Sequence, residues 1–242
     1  MANSKLTALL NHWRGNRHIW LLLSLLLMSA IHPLSRELQF SARLLDVWLT
    51  IVLLAAVFTA CDRRWQVWGG IILLVPTLIS MWSLFGYEAM VGKPSTGMVA
   101  FSFSWMFALF TIAVVSILGH VMRAKKIDMD EIAGAISVYL LFGVLCALLY
   151  SLIYFVNPDS FRMAVVDPPE NARSGFERYG DFQYFSFVTM STLGYGDIGP
   201  VSPIARSLAW LQAVTGQLYI AILIARLVGL NIADSQRRER ED

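Results

Sequence analysis

The sequence predicts an all-α integral membrane protein with six transmembrane helices and one short re-entrant segment. Three observations carry this prediction. Hydrophobic residues make up 57% of the 242 residues and charged residues only 15%, giving a mean hydropathy of +0.59. The apolar residues are gathered in runs of about twenty, the length a helix needs to cross the hydrocarbon core. One further run, 181–191, is aromatic-rich but too short to cross, and it opens into the glycine-bearing stretch Thr192-Leu193-Gly194-Tyr195-Gly196-Asp197.

Residues 1–17 carry Leu6, Leu9, Leu10 and Trp13 at helical spacing beside Lys5, Arg14 and Arg17. They read as a cytoplasmic amphipathic segment lying on the lipid surface, with a frayed tail as the plainer alternative. Span one covers about 18–34, with Pro33 expected to end it. A basic stretch before a short apolar run also resembles a secretory signal peptide, but no small-residue cleavage site follows, so the run is read as retained. Span two covers about 44–61, between Arg43 and Asp62-Arg63-Arg64, with Asp46 near its start. Span three covers about 66–87, kinked at Pro76, because proline removes one helical hydrogen bond. Span four covers about 98–122, from a Gly92-Lys93-Pro94-Ser95 turn to Arg123-Ala124-Lys125-Lys126. These four spans form one front domain, 18–122, and residues 123–130 link it to a second.

The second domain, 131–231, opens with an outer helix at 131–156, started by Asp128 and Glu131 in a capping-box pattern and closed by Asn157-Pro158. A polar loop comes next at 157–180, then the re-entrant helix at 181–191, the stretch 192–197, and a last span at 203–231 after Pro200 and Pro203. Residues 232–242 form a short charged tail. With six spans and both termini in the cytoplasm, eleven Lys and Arg lie inside (Lys5, Arg14, Arg17, Arg63, Arg64, Arg123, Lys125, Lys126, Arg237, Arg238, Arg240) and seven outside (Arg36, Arg43, Lys93, Arg162, Arg173, Arg178, Arg206). That bias favours this orientation and puts 157–202 on the outer face. Arg226, near the inner end of the last span, is expected to snorkel to the headgroups.

Cys61 and Cys146 fit packing and give no sign of a disulfide, and no Cys/His cluster has metal-ligand spacing. The net charge of +2 says little, because the charges sit in loops and ends and orient the chain, and no nucleic-acid partner is expected. Membrane lipid is the expected surrounding. His18 and His120, near the inner face, are candidate pH sensors, with interfacial packing as the plainer reading.

Irregular backbone at membrane depth is tolerated only where it is buried in protein or lines a wet cavity. The stretch 192–197 therefore needs a use for its carbonyls. A bare Gly-Tyr-Gly-Asp is otherwise a tight turn. In its context, Thr192-Leu193-Gly194-Tyr195-Gly196-Asp197 resembles the selectivity filter of tetrameric potassium channels, usually Thr-Val-Gly-Tyr-Gly-Asp. Tyr184-Phe185-Ser186-Phe187-Val188-Thr189 is similar to the family's pore helix, with Tyr184 and Phe185 where two tryptophans are common. The order of span, loop, short helix, filter and span is the family's pore module, and Gly216 lies where many members carry an inner-helix hinge glycine.

The resemblance covers about 131–231. It implies a homotetramer in which carbonyls of Thr192, Leu193, Gly194 and Tyr195, with the Thr192 hydroxyl, replace the hydration shell of K+. Gly194 and Gly196 would supply the positive φ that the alternating backbone needs. The Tyr195 ring would hold the filter open, and Asp197 would gather cations at the outer mouth. Gly216, Gln217, Ile220 and Ile224 would form the cavity and gate, with Val228 placed to narrow the inner mouth or simply to pack. No cofactor is implied beyond permeant K+, and no cytoplasmic ligand-binding domain. The membrane would be a plasma membrane or a bacterial inner membrane.

Two departures stand out. Leu193 replaces valine, so a side chain expected to pack on the pore helix is less stiff. Val188 stands where some members pair a glutamate with the aspartate. The front domain also lacks a charged sensor, because 98–122 holds no lysine or arginine, so steep voltage gating is not expected. The alternatives are a weakly selective cation channel or a non-conducting subunit. An aspartyl protease of the Gly-x-Gly-Asp type is the enzyme alternative, and it lacks a second aspartate close to Asp197.

Overall fold

The structure, a computed structural model, describes residues 17–37, 52, 72, 74–79, 96–124, 128–163 and 178–241. The readings of residues 1–16, of most of spans two and three with Asp46 and Cys61, of 125–127 and of the loop 164–177 lie outside the described residues. What is described is mostly helical. It comprises α1 (Arg17–Glu37), α2 (Thr96–Arg123), α3 (Met129–Val156), α4 (Tyr179–Met190) and α5 (Pro203–Glu241), with strands β1 (Phe161–Met163) and β2 (Ile198–Pro200). Among the described residues three helical segments are long and apolar enough to cross a membrane: Gly97–Arg123, Met129–Val156 and Pro203–Ile232.

Two boundaries differ from expectation. α1 runs on through Pro33 to Glu37. A proline forfeits one backbone bond, and four residues from the helix end that loss does not stop the chain. The last helix continues past 231 to Glu241, taking in the charged tail. Its Gln-Arg-Arg-Glu-Arg-Glu run, 236–241, consists of good helix formers free of Gly and Pro.

The described chain divides into two compact units. The first holds all of α1, the end of α2, the first turns of α3 and the end of α5. Asp128 caps α3 as expected, its Oδ1 accepting from the Glu131 N–H at 2.8 Å. Asp130 Oδ1 accepts the N–H groups of His18 (2.9 Å) and Ile19 (3.2 Å), so it satisfies the otherwise unpaired start of α1. His18 is buried, its ring packed so close to Gly134 that an added Cβ there would sit 3.1 Å from it. His120 faces Glu131 at 3.4 Å, with the Arg17 guanidinium 3.2 Å from the imidazole. Arg226 has a protein partner at the end of α2. Its Nη2 donates to the Ala124 carbonyl at 2.8 Å, where a cation meets the negative end of α2.

The second unit holds the rest of α3, all of α4, both strands and the start of α5. Its core is an aromatic cluster: Tyr150, Phe161, Phe182 and Phe185, with Cys146, Ala205 and Ala209. The rings meet edge to face, Phe161–Phe182 at 4.9 Å and Tyr150–Phe185 at 5.0 Å, a geometry the ring quadrupoles favour. Ala205 and Ala209 let α5 approach this cluster closely. Cys146 is a free, buried thiol. α3 ends at Val156, and Asn157 Oδ1 accepts from Asp159 N–H to turn the chain. The strands pair antiparallel, Phe161 opposite Pro200 and Met163 opposite Ile198, and tie the end of α3 to the segment after Asp197. Ser160 O accepts from Val201 N–H at 2.8 Å, and Ser202 Oγ accepts from Ala205 N–H at 3.3 Å to cap α5, with Pro203 in its first turn.

Gly143 on α3 lies directly against α4. A Cβ there would lie 2.5 Å from the Phe187 ring. Gly143→Ala must push α4 away or force Phe187 off its rotamer, and is expected to destabilise the protein by about 1–3 kcal/mol. Gly119→Ala, which meets nothing within 4 Å, is the control and should leave thermal unfolding in detergent unchanged or raised.

Candidate functional site

α4 is a short helix that stops where the stretch 192–197 begins. Asp181 in its first turn complements the helix dipole, and its C-terminal end presents partial negative charge to that stretch. The last turn is closed by N–H groups from beyond it: Ser191 N–H to Phe187 O (2.9 Å), Thr192 N–H to Thr189 O (3.1 Å) and Leu193 N–H to Val188 O (2.9 Å). The remaining orphan carbonyl, Met190 O, accepts from Gln217 Nε2 on α5 at 3.0 Å.

Beyond α4 the φ angles alternate in sign. Thr192 has φ 61°, Gly194 58° and Gly196 80°, while Leu193 and Tyr195 stay negative. An alternation of this kind turns successive peptide planes the same way, so their carbonyls can share one side of the strand. The N–H groups of Thr192 and Leu193 are committed to α4, whereas the carbonyls of Thr192, Leu193, Gly194 and Tyr195 accept no hydrogen bond from any described residue. A Cβ on Gly194 or Gly196 would meet nothing within 4 Å, so glycine is required there by φ and not by crowding. Thr192 shares that conformation, which its sequence signal does not announce. A left-handed threonine costs on the order of 1–2 kcal/mol, sustained by its bond to Thr189 O.

The side chains lie otherwise than expected in one respect. Leu193, expected to pack against the preceding short helix, is 55% exposed in the single chain. Tyr195 is 67% exposed, and its ring stacks at 6.4 Å and 7° on Tyr184 of α4. The Tyr184 hydroxyl is hydrogen-bonded to Asp197, which is itself half-buried. Tyr184 thus supports Asp197, on a chain whose Val188 offers no carboxylate.

Of the α5 residues, Gly216 is buried against α4. A Cβ there would lie 2.5 Å from Met190 Cγ, and Met190 is fully buried. Close helix approach therefore accounts for this glycine, and α5 runs unbroken through it. Gln217 spends its amide on Met190 O. Ile220 is half-buried, and Ile224 and Val228 are exposed in the single chain. Sequence reasoning missed Met190 as the partner of both Gly216 and Gln217. The available signal was an i, i+1 pair of a small and an amide residue facing the end of a short helix.

Residues 135–232 match a protein-family model described as "Ion channel". The chain is 38% identical over 73 residues to the inward rectifier potassium channel Kirbac3.1 of Paramagnetospirillum magnetotacticum, covering 29% of this chain and 24% of that protein. It is 32% identical over 128 residues to the mouse potassium voltage-gated channel subfamily A member 10, covering 53% and 22%. It is 30% identical over 104 residues to two-pore potassium channel 2 of Arabidopsis thaliana, covering 43% and 20%. The chain thus spans less than a quarter of the length of each of these relatives. These proteins are channels, not enzymes, and the protease alternative falls.

If Gly216 serves close packing, Gly216→Ala lowers the unfolding temperature, and adding Met190→Ala recovers part of the loss, because methyl volume moves across one contact. A glycine needed only for bending would show no such recovery. Thermal unfolding of the three variants distinguishes the two roles.

Helices fit to cross a membrane, a short helix ending in an alternating-φ loop, and the match of 135–232 converge: over these residues the chain is similar to the ion-channel family, with potassium channels among its relatives.

Proposed function

We propose that this chain is one subunit of a homotetrameric channel that conducts K+ passively and selectively. The observation that carries the reading is the row of four carbonyls, Thr192 to Tyr195, left without protein donors between alternating φ angles. An unpaired, dehydrated carbonyl costs about 1–3 kcal/mol, and a dehydrating cation is the partner that removes this cost for both. One chain supplies one wall. Four chains around a closed axis supply rings. In support, the apolar part of the last span has only 6% of its residues buried within one chain, and Leu193 and Tyr195 are exposed, so large apolar surface awaits neighbours and lipid.

K+ sheds water into the rings and moves on as further ions enter. Asp197 gathers cations at the outer mouth, and the Thr192 hydroxyl completes the innermost site. Below it, Ile220 and Ile224 line the cavity leading inward, and Gly216 and Gln217 hold α5 against the pore helix beside it. The subunit crosses a plasma or bacterial inner membrane six times with both termini in the cytoplasm, and needs no cofactor. A weakly selective cation channel is the second reading, favoured by the exposure of Leu193.

Potassium and sodium flux into proteoliposomes tests the function. Wild-type protein should pass K+ at least about tenfold faster than Na+, a difference of about 1.4 kcal/mol, and Gly194→Asp, which cannot hold positive φ without strain, should abolish K+ flux. Equal flux of both ions through wild type would select the second reading, and equal K+ flux through both proteins would remove the filter altogether.

Voltage dependence follows from charge. Each elementary charge carried across the field contributes about 2.3 kcal/mol per 100 mV. α2 carries no basic residue before its last turn, which holds His120 and Arg123. Bilayer recordings should therefore show open probability changing little across about 100 mV. A steep sigmoid over a few tens of millivolts would contradict this.

A further inference from the structure

Behind the filter stretch, three helices are joined by a polar cluster sealed from solvent. Tyr150 on α3 donates its hydroxyl to Gln212 Oε1 on α5 at 2.6 Å. Gln212 Nε2 donates twice to Ser186 on α4, to Oγ at 2.6 Å and to the carbonyl at 3.2 Å. Ser186 Oγ in turn donates a hydrogen bond to the Gly143 carbonyl on α3 at 2.6 Å. Tyr150 is 1% exposed, Gln212 2% and Ser186 0%.

The cluster is closed. Both amide protons and the amide oxygen of Gln212 are used, and both hydroxyls donate. Its direction is fixed as well, since a flipped amide would set Oε1 against the Ser186 carbonyl. Packing alone does not call for it. The surroundings are Phe161, Phe182 and Phe185, where apolar residues of the same shape would serve as well. Interhelical hydrogen bonds within membranes also add little net stability. What such a network supplies is one arrangement among several that an apolar core would permit.

Its position gives that arrangement a use. Ser186 lies six residues before Thr192, on the helix whose last turn holds the N–H groups of Thr192 and Leu193. One turn and a half after Gln212, Gln217 grips Met190 O. Two amides of α5 thus hold α4 at its middle and at its end. The face nearest the filter has only Val188 where a carboxylate would otherwise anchor the stretch.

We propose that Tyr150, Gln212 and Ser186 are positioning residues: they fix the height of α4, and through it the spacing of the filter carbonyls, so that they set ion discrimination and the duration of the conducting state. The proposal rests on the filter reading above and adds to it the regulation of that site from behind.

The full-length protein in proteoliposomes and bilayers tests it, with Tyr150→Phe, Ser186→Ala and the triple apolar variant Tyr150→Phe/Ser186→Ala/Gln212→Met. Tyr150→Phe removes one oxygen and keeps the ring, so it serves should the triple variant fail to assemble. The expected result is a K+/Na+ permeability ratio, or a mean conducting time, reduced about threefold or more in each variant that assembles with wild-type thermal stability. Tyr150→Phe and Ser186→Ala should also combine non-additively, because both act through Gln212. Wild-type ratio and conducting time in assembled Tyr150→Phe and Ser186→Ala would overturn the proposal, while equal K+ flux through wild type and Gly194→Asp would instead strike the filter reading.

Discussion

Backbone carbonyls that lie among membrane spans must have partners, and the rest of this structure is arranged around four that have none within the described chain. α4 ends early, its last carbonyls satisfied by the N–H groups of Ser191, Thr192 and Leu193. That leaves those residues with their donors turned back and their acceptors free. Positive φ at Thr192, Gly194 and Gly196 then sets the sense of the strand. Everything nearby holds this short segment still: the two-stranded ribbon beyond Asp197, the stacked Tyr184–Tyr195 rings, and the grip of Gln217 on Met190.

The helices are largely legible in the sequence because their signals are local. Long apolar runs mark α2, α3 and the first part of α5, and Asp128 and Asn157-Pro158 mark where α3 starts and stops. Where local rules err, a longer-range or missing constraint is at work. Pro33 does not end α1, since a proline near a helix end forfeits little. The bond of Arg226 to the Ala124 carbonyl goes unannounced because nothing local to it names Ala124, more than a hundred residues away. The β ribbon is three residues a side, too short for any alternation to show.

The candidate site is legible as a motif and less so as an arrangement. Gly194 and Gly196 announce positive φ by their lack of Cβ, whereas Thr192 adopts it against its own preference, which no composition rule anticipates. Leu193 reads as a residue packed against the short helix, and more than half of its surface is exposed within one chain. Gly216 reads from sequence as a place to bend. In the structure it is also the place where Met190 fits, and the two demands on one glycine are physically different.

The central claim is that carbonyls of Thr192, Leu193, Gly194 and Tyr195 hold dehydrated cations in rings. The most direct measurement is the anomalous scattering of Rb+ soaked into crystals of the assembled protein. A row of cation peaks is expected on a fourfold axis at the level of these four residues, lost when Rb+ is replaced by Na+. Cation density confined to the Asp197 carboxylates, or absent from the axis, would contradict it.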